Sequence, residues 1–372
     1  MLTSVDLFTG IGGFVLALKG ICKPIVYCDI APNVRTALKS MISTRKLPKA
    51  VILDDVRSTS AIIKAVGTKT VDVITAGFPC VGFSSVGNQA GLGDDRSALF
   101  HDAVKVVSKL KPTIVFFENV PDILSTNGGK DIRTVVKAMD SEGYDCRWTV
   151  CSANDVGLPQ SRKRWFCMCV KRGATVPTID FSSRTKTVAR PPLLATRAPD
   201  YKSRYFMLGN AIVPLAARTA LHRLWTGFEA GRHLDKAAFQ SNVPVGKSTT
   251  HGFSVKGKLH SAHFPSIPKP VETIVLDPEH YRPDYVAPKF KHRAEKIVDK
   301  HVLYNWPTPR ATAPRHSNAL SRRNIRDLPT IALFAAEVNG VKQPVPLQGM
   351  TVNPQFLEWL MGFPKDHTKV LQ

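Results

Sequence analysis

No stretch of this chain approaches the length of a membrane-spanning helix, and its amino terminus, Met-Leu-Thr-Ser-Val-Asp, carries neither a basic stretch nor a long apolar run. A membrane protein and a secreted protein with a leader are therefore not expected. The reading is of a soluble intracellular protein, cytoplasmic in a prokaryotic host, with a nuclear or viral setting left open. The seven cysteines, at 22, 28, 80, 146, 151, 167 and 169, include no C-x-x-C pair. Cys167-Met-Cys169 falls in a strand pattern, so neither a disulfide framework nor a metal site is expected, and a reducing compartment fits. Acidic residues are scarce, 29 against 51 Lys and Arg, which leaves a net charge of +22. A surface this basic points to a polyanionic partner, because it recruits nucleic acid electrostatically before any base is read. The excess is weighted to the second half, +14 over residues 173–372 against +8 over 1–172.

What the chain does have is 372 residues at 43% hydrophobic content, enough for one large core and a smaller module. Val71-Asp-Val-Ile-Thr-Ala76 reads as a buried strand. It runs into Gly77-Phe-Pro-Cys80 and then into a loop of small residues through Gly87. Pro79 fixes the approach of the chain to Cys80, and the glycines let the following segment close over a substrate, which is where a nucleophile belongs. Ile114-Val-Phe-Phe-Glu-Asn-Val120 is a second strand pattern that ends in a carboxylate. Leu158-Pro-Gln-Ser-Arg-Lys-Arg164 brings two arginines into a third, Trp165 to Val170. A parallel α/β sheet gathers its strand ends on one edge, so thiol, carboxylate and arginines are expected to share a crevice.

The first residues supply another part of that crevice. Ser4 to Phe8 reads as a strand, Thr9-Gly-Ile-Gly-Gly13 as a tight turn, and Phe14 to Leu18 as the start of a helix. The turn lacks the full dinucleotide spacing. The next strand, Ile25 to Asp29, ends in an acid placed to accept ribose hydroxyls, and Ala50 to Asp55 ends in another. Together they describe a nucleoside cofactor site, for S-adenosylmethionine or a dinucleotide. Asp29 and Asp55 read equally well as helix caps.

At this point the chain resembles the cytosine carbon-5 DNA methyltransferases. The resemblance rests on ordered blocks: Asp6-Leu-Phe-Thr-Gly-Ile-Gly-Gly13, Gly77-Phe-Pro-Cys80 with Phe83-Ser84, Asp95 to Phe100, Glu118-Asn-Val120, Gln160-Ser-Arg-Lys-Arg164 and Gly209-Asn210. It covers roughly residues 1–172 and 205–225, and phage-borne members carry segments like Trp306-Pro-Thr-Pro-Arg310 and Val352 to Pro364. It implies a doubly wound, mostly parallel α/β sheet with a smaller, irregular carboxy-terminal recognition region. It also implies methyl transfer from S-adenosylmethionine to a flipped-out cytosine in double-stranded DNA, with Cys80, Glu118, Arg162 and Arg164 as catalytic residues and no metal.

By the same resemblance Phe8, Gly10, Gly12, Gly13, Asp29, Ile30, Asp55, Val56, Pro79, Leu99 and Asn210 line the cofactor, while Ser84 and Gln160 meet DNA. Two residues depart from the family pattern: Asp29 stands where glutamate is common, and Val81 where most relatives carry a glutamine that helps fill the space left by the extruded base.

Relatives often hold a recognition domain where this chain has 173–204, a short Pro-, Thr- and Arg-rich interval that reads as a connecting loop. An amphipathic helix from Leu215 to Trp225 should pack back onto the sheet. Residues 226–372 then form an extension expected to choose the DNA site, with short strands such as Glu272 to Leu276. Within it, 286–326 holds ten basic and two acidic residues besides Tyr304 and Trp306. That composition suits phosphates and exposed bases, with Arg310, Arg322, Arg323 and Arg326 as contacts. Phe356, Leu357, Leu360 and Met361 give a docking helix. A monomer with a companion restriction endonuclease is the expected setting. A tRNA cytosine methyltransferase, a non-catalytic DNA-binding relative and a cofactor-dependent oxidoreductase are the alternatives.

Overall fold

The structure, a computed structural model, describes residues 1–79, 99–158, 160, 162–181, 184–187, 194–196, 199–229, 250–256, 258–261, 272–275 and 350–370. They divide into two compact units, one of 1–151, 163–183 and 216–271, the other of 152–162, 184–215 and 272–372.

The first unit is built on a nine-stranded sheet. Apolar, β-branched runs give β1 (Leu2–Leu7), β2 (Cys22–Cys28), β3 (Val51–Leu53), β4 (Val73–Gly77) and β5 (Ile114–Asn119), all where the hydrophobic pattern puts them. These five lie parallel in the order β3-β2-β1-β4-β5. Beyond β5 stand β7 (Lys163–Lys171), antiparallel to it, then β6 (Tyr144–Ser152), β10 (His251–Val255) and β11 (Lys258–Ser261). Helices α1 (Gly13–Ala17), α2 (Pro32–Ser43), α3 (Thr59–Val66), α4 (Leu99–Leu110) and α5 (Lys130–Ser141) join the strands.

Every residue of β5 is buried, as a central strand covered on both faces requires. On one face Phe117 packs against Phe78 and Phe100; on the other Phe116 meets Phe14 and stacks on Phe166. The expected amphipathic helix is α7 (Pro214–Glu229). Arg218 donates from it to the Ala17 carbonyl at 2.9 Å, and Trp225 Nε1 donates to the Pro177 carbonyl at 2.8 Å.

In the second unit, Ser152 opens a short 3-10 turn (Ala153–Val156) with a reciprocal cap: its hydroxyl accepts from Asn154 N–H, and its own N–H donates to Asp155. The unit also holds β8 (Arg184–Thr187), β9 (Leu194–Thr196), α6 (Tyr201–Asn210), β12 (Glu272–Val275), β13 (Met350–Val352) and α8 (Pro354–Leu360).

This organisation corrects the expected boundaries. The interval 173–204 is not a plain loop: β8 pairs with β12, and β9 with β13. The extension is divided as well, because β10 pairs with β6 and β11 with β10 in the main sheet, while β12, β13 and α8 belong to the second unit. The strand expected near 272–276 and the docking helix are present, with Phe356, Leu357, Leu360 and Met361 all buried.

Candidate active site

Strand order reverses between β1 and β4, since β1 leads to β2 on one side and β4 to β5 on the other. At such a switch point the loops leaving the carboxyl ends diverge and open a crevice. The Thr9–Gly13 turn leaves β1 here, and the segment toward Cys80 leaves β4.

The turn is set by its backbone. Phe8, Gly10 and Gly12 have φ of +56°, +53° and +79°, a region that glycine enters without strain and phenylalanine does not. Thr9 holds it: its N–H donates to the Cys28 carbonyl at 2.9 Å, its hydroxyl donates to the Asp6 carbonyl at 2.8 Å, and that hydroxyl accepts from Cys28 N–H at 3.1 Å. Asp29, just past β2, accepts from Gly10 N–H at 2.8 Å and from Ala31 N–H at 2.9 Å. Burial raises its carboxyl above the usual range, and the two backbone bonds oppose that rise. Each oxygen keeps a second lone-pair site, so Asp29 both tethers the turn and can still accept hydroxyls. Ile30 beside it is 61% exposed. Asp55 is ion-paired to Arg57 at 2.6 Å, which lowers its pKa, and Val56 is buried. Pro79 and Leu99 flank residues 80–98 and are half-buried.

Glu118, next to last in β5, lies in register with Gly77 of β4 and Phe166 of β7. Its Oε1 lies 3.0 Å from Arg164 Nε, with side chains 11% and 20% exposed. Arg164 is thus the arginine that orients the carboxylate. The next residue, Asn119, donates from Nδ2 to the Phe78 carbonyl at 3.2 Å and accepts from Val120 N–H at 2.8 Å. It ties the end of β5 to the segment that precedes Cys80.

Arg162 and Gln160 fall in the second unit and take other parts. Arg162 is buried, and its Nη2 donates to the carbonyls of Gly209 at 3.1 Å and Ala211 at 2.7 Å. It thereby holds the Gly209-Asn210 segment. Gln160, expected against DNA, is fully buried, and its amide donates to the Leu360 carbonyl and approaches Met361 Sδ. An amide enclosed in this way braces α8 rather than facing a ligand. Asn210 ends α6 in the same unit. Cys80, Val81, Ser84, Arg310, Arg322, Arg323 and Arg326 lie outside the described residues.

Sequence reasoning assigned no role to three features. Asn119 was visible as the middle of Glu-Asn-Val, but its partner is a carbonyl and leaves no sequence trace. Asp6 is buried, accepts a hydrogen bond from the Thr75 hydroxyl, and is pushed up to about 7, chiefly by burial. Cys146, Cys167 and Cys169 place three sulfurs within 4.8 Å of one another, which runs against the expectation drawn from the missing C-x-x-C. Their convergence needs the adjacency of β6 and β7, which spacing alone does not reveal.

A family model described as C-5 cytosine-specific DNA methylase matches residues 2–202. The type II methyltransferase M.CviJI of Paramecium bursaria Chlorella virus IL3A is 28% identical, over 98% of this chain and 97% of its own length. M.HhaI of Haemophilus parahaemolyticus is 32% identical over 48% of this chain, which spans only 51% of that relative. Among solved structures, the Entamoeba histolytica methyltransferase EhMeth is 20% identical with a TM-score of 0.38, covering 46% of this chain and 53% of its own.

Proposed function

The chain belongs to the C-5 cytosine-specific DNA methylases, and from that membership we propose how its residues divide the work. The enzyme methylates carbon 5 of cytosine in DNA, and S-adenosylmethionine supplies the methyl group.

The β1 turn fits that donor. Among the described residues, no atom lies within 4 Å of where a Cβ on Gly10 would stand, so none of them fills the outer face of the turn. Asp29 has lone pairs left for ribose hydroxyls, Ile30 offers an exposed apolar surface to a base, and Phe8, Gly12, Gly13, Asp55, Val56, Pro79, Leu99 and Asn210 complete the proposed lining.

Carbon 5 of cytosine is a poor nucleophile. In the proposed mechanism the Cys80 thiolate adds to carbon 6, its electron pair forming the sulfur–carbon bond while the 5,6 π pair shifts to carbon 5 and into the ring. Glu118, as the acid, donates a proton at ring nitrogen 3 and also reads the exocyclic amine. Arg164 fixes the direction of the Glu118 carboxyl and helps hold the ring carbonyl oxygen. Once carbon 5 carries the methyl group, it gives its proton to solvent, the electron pair of that bond re-forms the ring double bond as the Cys80–carbon 6 bond breaks and the thiolate leaves, and the proton on ring nitrogen 3 returns to Glu118. Arg162 contributes by holding Gly209 and Ala211 through their carbonyls. The observation that carries the reading is the Glu118–Arg164 pair at the end of β5, in register with the strand that delivers Cys80.

Site choice in double-stranded DNA is assigned to the extension together with 184–196, with Ser84, Arg310, Arg322, Arg323 and Arg326 as contacts. The pairing of β8 with β12 and of β9 with β13 supports treating these segments as one recognition region. A monomeric, intracellular enzyme accompanied by a restriction endonuclease completes the proposal. Among the described residues no helix is long and apolar enough to cross a membrane. Bisulfite sequencing of plasmid from expressing cells tests the whole. One fully modified cytosine motif is expected; unmodified DNA, or modification without a motif, contradicts it.

A further inference from the structure

Three thiols unused by the proposed chemistry converge in the interior of the first unit. Cys146 Sγ lies 3.0 Å from Cys169 Sγ, which lies 3.7 Å from Cys167 Sγ, and all three side chains are fully shielded from solvent. The register explains the meeting. Cys167 and Cys169 are two apart on β7 and so share a face, and β6 with Cys146 is the neighbouring strand. The next strand adds an oxygen: Ser254 of β10 is buried, and its hydroxyl accepts from Cys146 N–H at 3.2 Å.

We propose that Cys146, Cys167 and Cys169, with the Ser254 hydroxyl as fourth donor, form a structural site for a thiophilic divalent cation of the zinc class. A zinc ion about 2.3 Å from each sulfur of a tetrahedral set keeps the sulfurs about 3.8 Å apart. The Cys167–Cys169 spacing already meets this, and the Cys146–Cys169 pair has to open by less than about 1 Å. Packing alone would be met by any small apolar side chain and asks for no convergence of sulfurs. Each ligating thiol gives up its proton to solvent on binding, and no electron is transferred. The ion would join β6 to β7 where the sheet passes into the strands contributed by the extension.

The test uses the full chain carrying Cys80→Ser, so that the proposed nucleophile cannot bind metal. The protein is stripped with a chelator, loaded with Zn²⁺ and gel-filtered. One zinc per chain is expected by elemental analysis, with an X-ray absorption first shell of three sulfurs at about 2.3 Å and one oxygen. Zinc should also raise the thermal midpoint. Cys146→Ser and Cys169→Ser should each cut retained zinc at least tenfold, whereas Cys22→Ser should retain it. Substoichiometric zinc, or a shell of nitrogen and oxygen alone, overturns the site on a protein that keeps all three thiols, whatever the variants do. Undiminished zinc in folded Cys146→Ser protein overturns it as well.

Discussion

In the proposed mechanism Glu118 works only if its carboxyl is aimed, and the Arg164 Nε contact at 3.0 Å is the interaction assigned to aim it. Glu118→Gln keeps a hydrogen-bond donor of the same shape but removes the acid. Single-turnover methyl transfer should fall by roughly 10²–10⁴, the scale of one general acid, while DNA affinity changes far less. Equal losses in rate and affinity would make Glu118 a structural residue. Asp6 makes a separate prediction through stability. Its folded-state pKa, about 7, lies above the ordinary aspartate value of 3.8, so between those values the folded chain holds a proton that the unfolded chain has released. Its contribution is therefore fully present below pH 4 and is lost as pH rises toward 7, by up to about 4 kcal/mol at 1.4 kcal/mol per unit. Urea midpoints of Asp6→Asn should decline less between pH 5 and pH 8 than those of the parent; parallel pH profiles would show that Asp6 is not the group responsible.

At the scale of elements, α8 is held by a buried cluster rather than by its own seven residues. Arg204 of α6 donates to Glu358 Oε1 at 2.9 Å and from Nε to the Thr368 hydroxyl at 2.9 Å, and Thr368 donates to the same Glu358 oxygen from its N–H at 2.8 Å and its hydroxyl at 2.6 Å. Glu358→Ala leaves Arg204 buried without its main counter-charge and should cost about 3–5 kcal/mol. Chemical denaturation measures this, and a loss under about 1 kcal/mol would show the cluster to be dispensable. The helix itself was legible, because Phe356, Leu357 and Leu360 recur with helical spacing. Its partners were not: Gln160 and Leu360 are 200 residues apart, and nothing local in Gln-Ser-Arg distinguishes an amide that braces a helix from one that meets DNA. The parallel strands were legible for the opposite reason. Runs such as Ile114 to Phe117 are apolar without alternation, the mark of a strand covered on both sides. The ends of those runs carried Glu118, Asp29 and the approach to Cys80, so the core of the candidate site could be read where the pairing of β8, β9, β12 and β13 could not.

For the whole molecule, the parts proposed for catalysis and for recognition are not expected to separate when the chain is cut. Ending it after residue 228 removes β10 and β11 from the main sheet, exposes the edge of β6, and leaves Arg204 and Gln160 without Glu358 and Leu360. The truncated chain should be insoluble or molten by near-ultraviolet circular dichroism; a cooperatively folded, cofactor-binding product would show that the extension is independent. Point changes are the cleaner route. A phosphate-contacting arginine among Arg310, Arg322, Arg323 and Arg326 should weaken binding on every sequence and flatten its salt dependence, whereas a base-reading one should cost about 1–3 kcal/mol and relax one position. The central claim is that the segment leaving β4 delivers Cys80 as the nucleophile onto carbon 6. Its most direct measurement is incubation with S-adenosylmethionine and a duplex carrying 5-fluorocytosine in the motif found by bisulfite sequencing. Fluorine at carbon 5 blocks release of the enzyme, so a denaturation-resistant adduct should form, map to the peptide containing Cys80, and be absent from Cys80→Ser. An adduct on another residue, or one that survives in Cys80→Ser, would contradict the account.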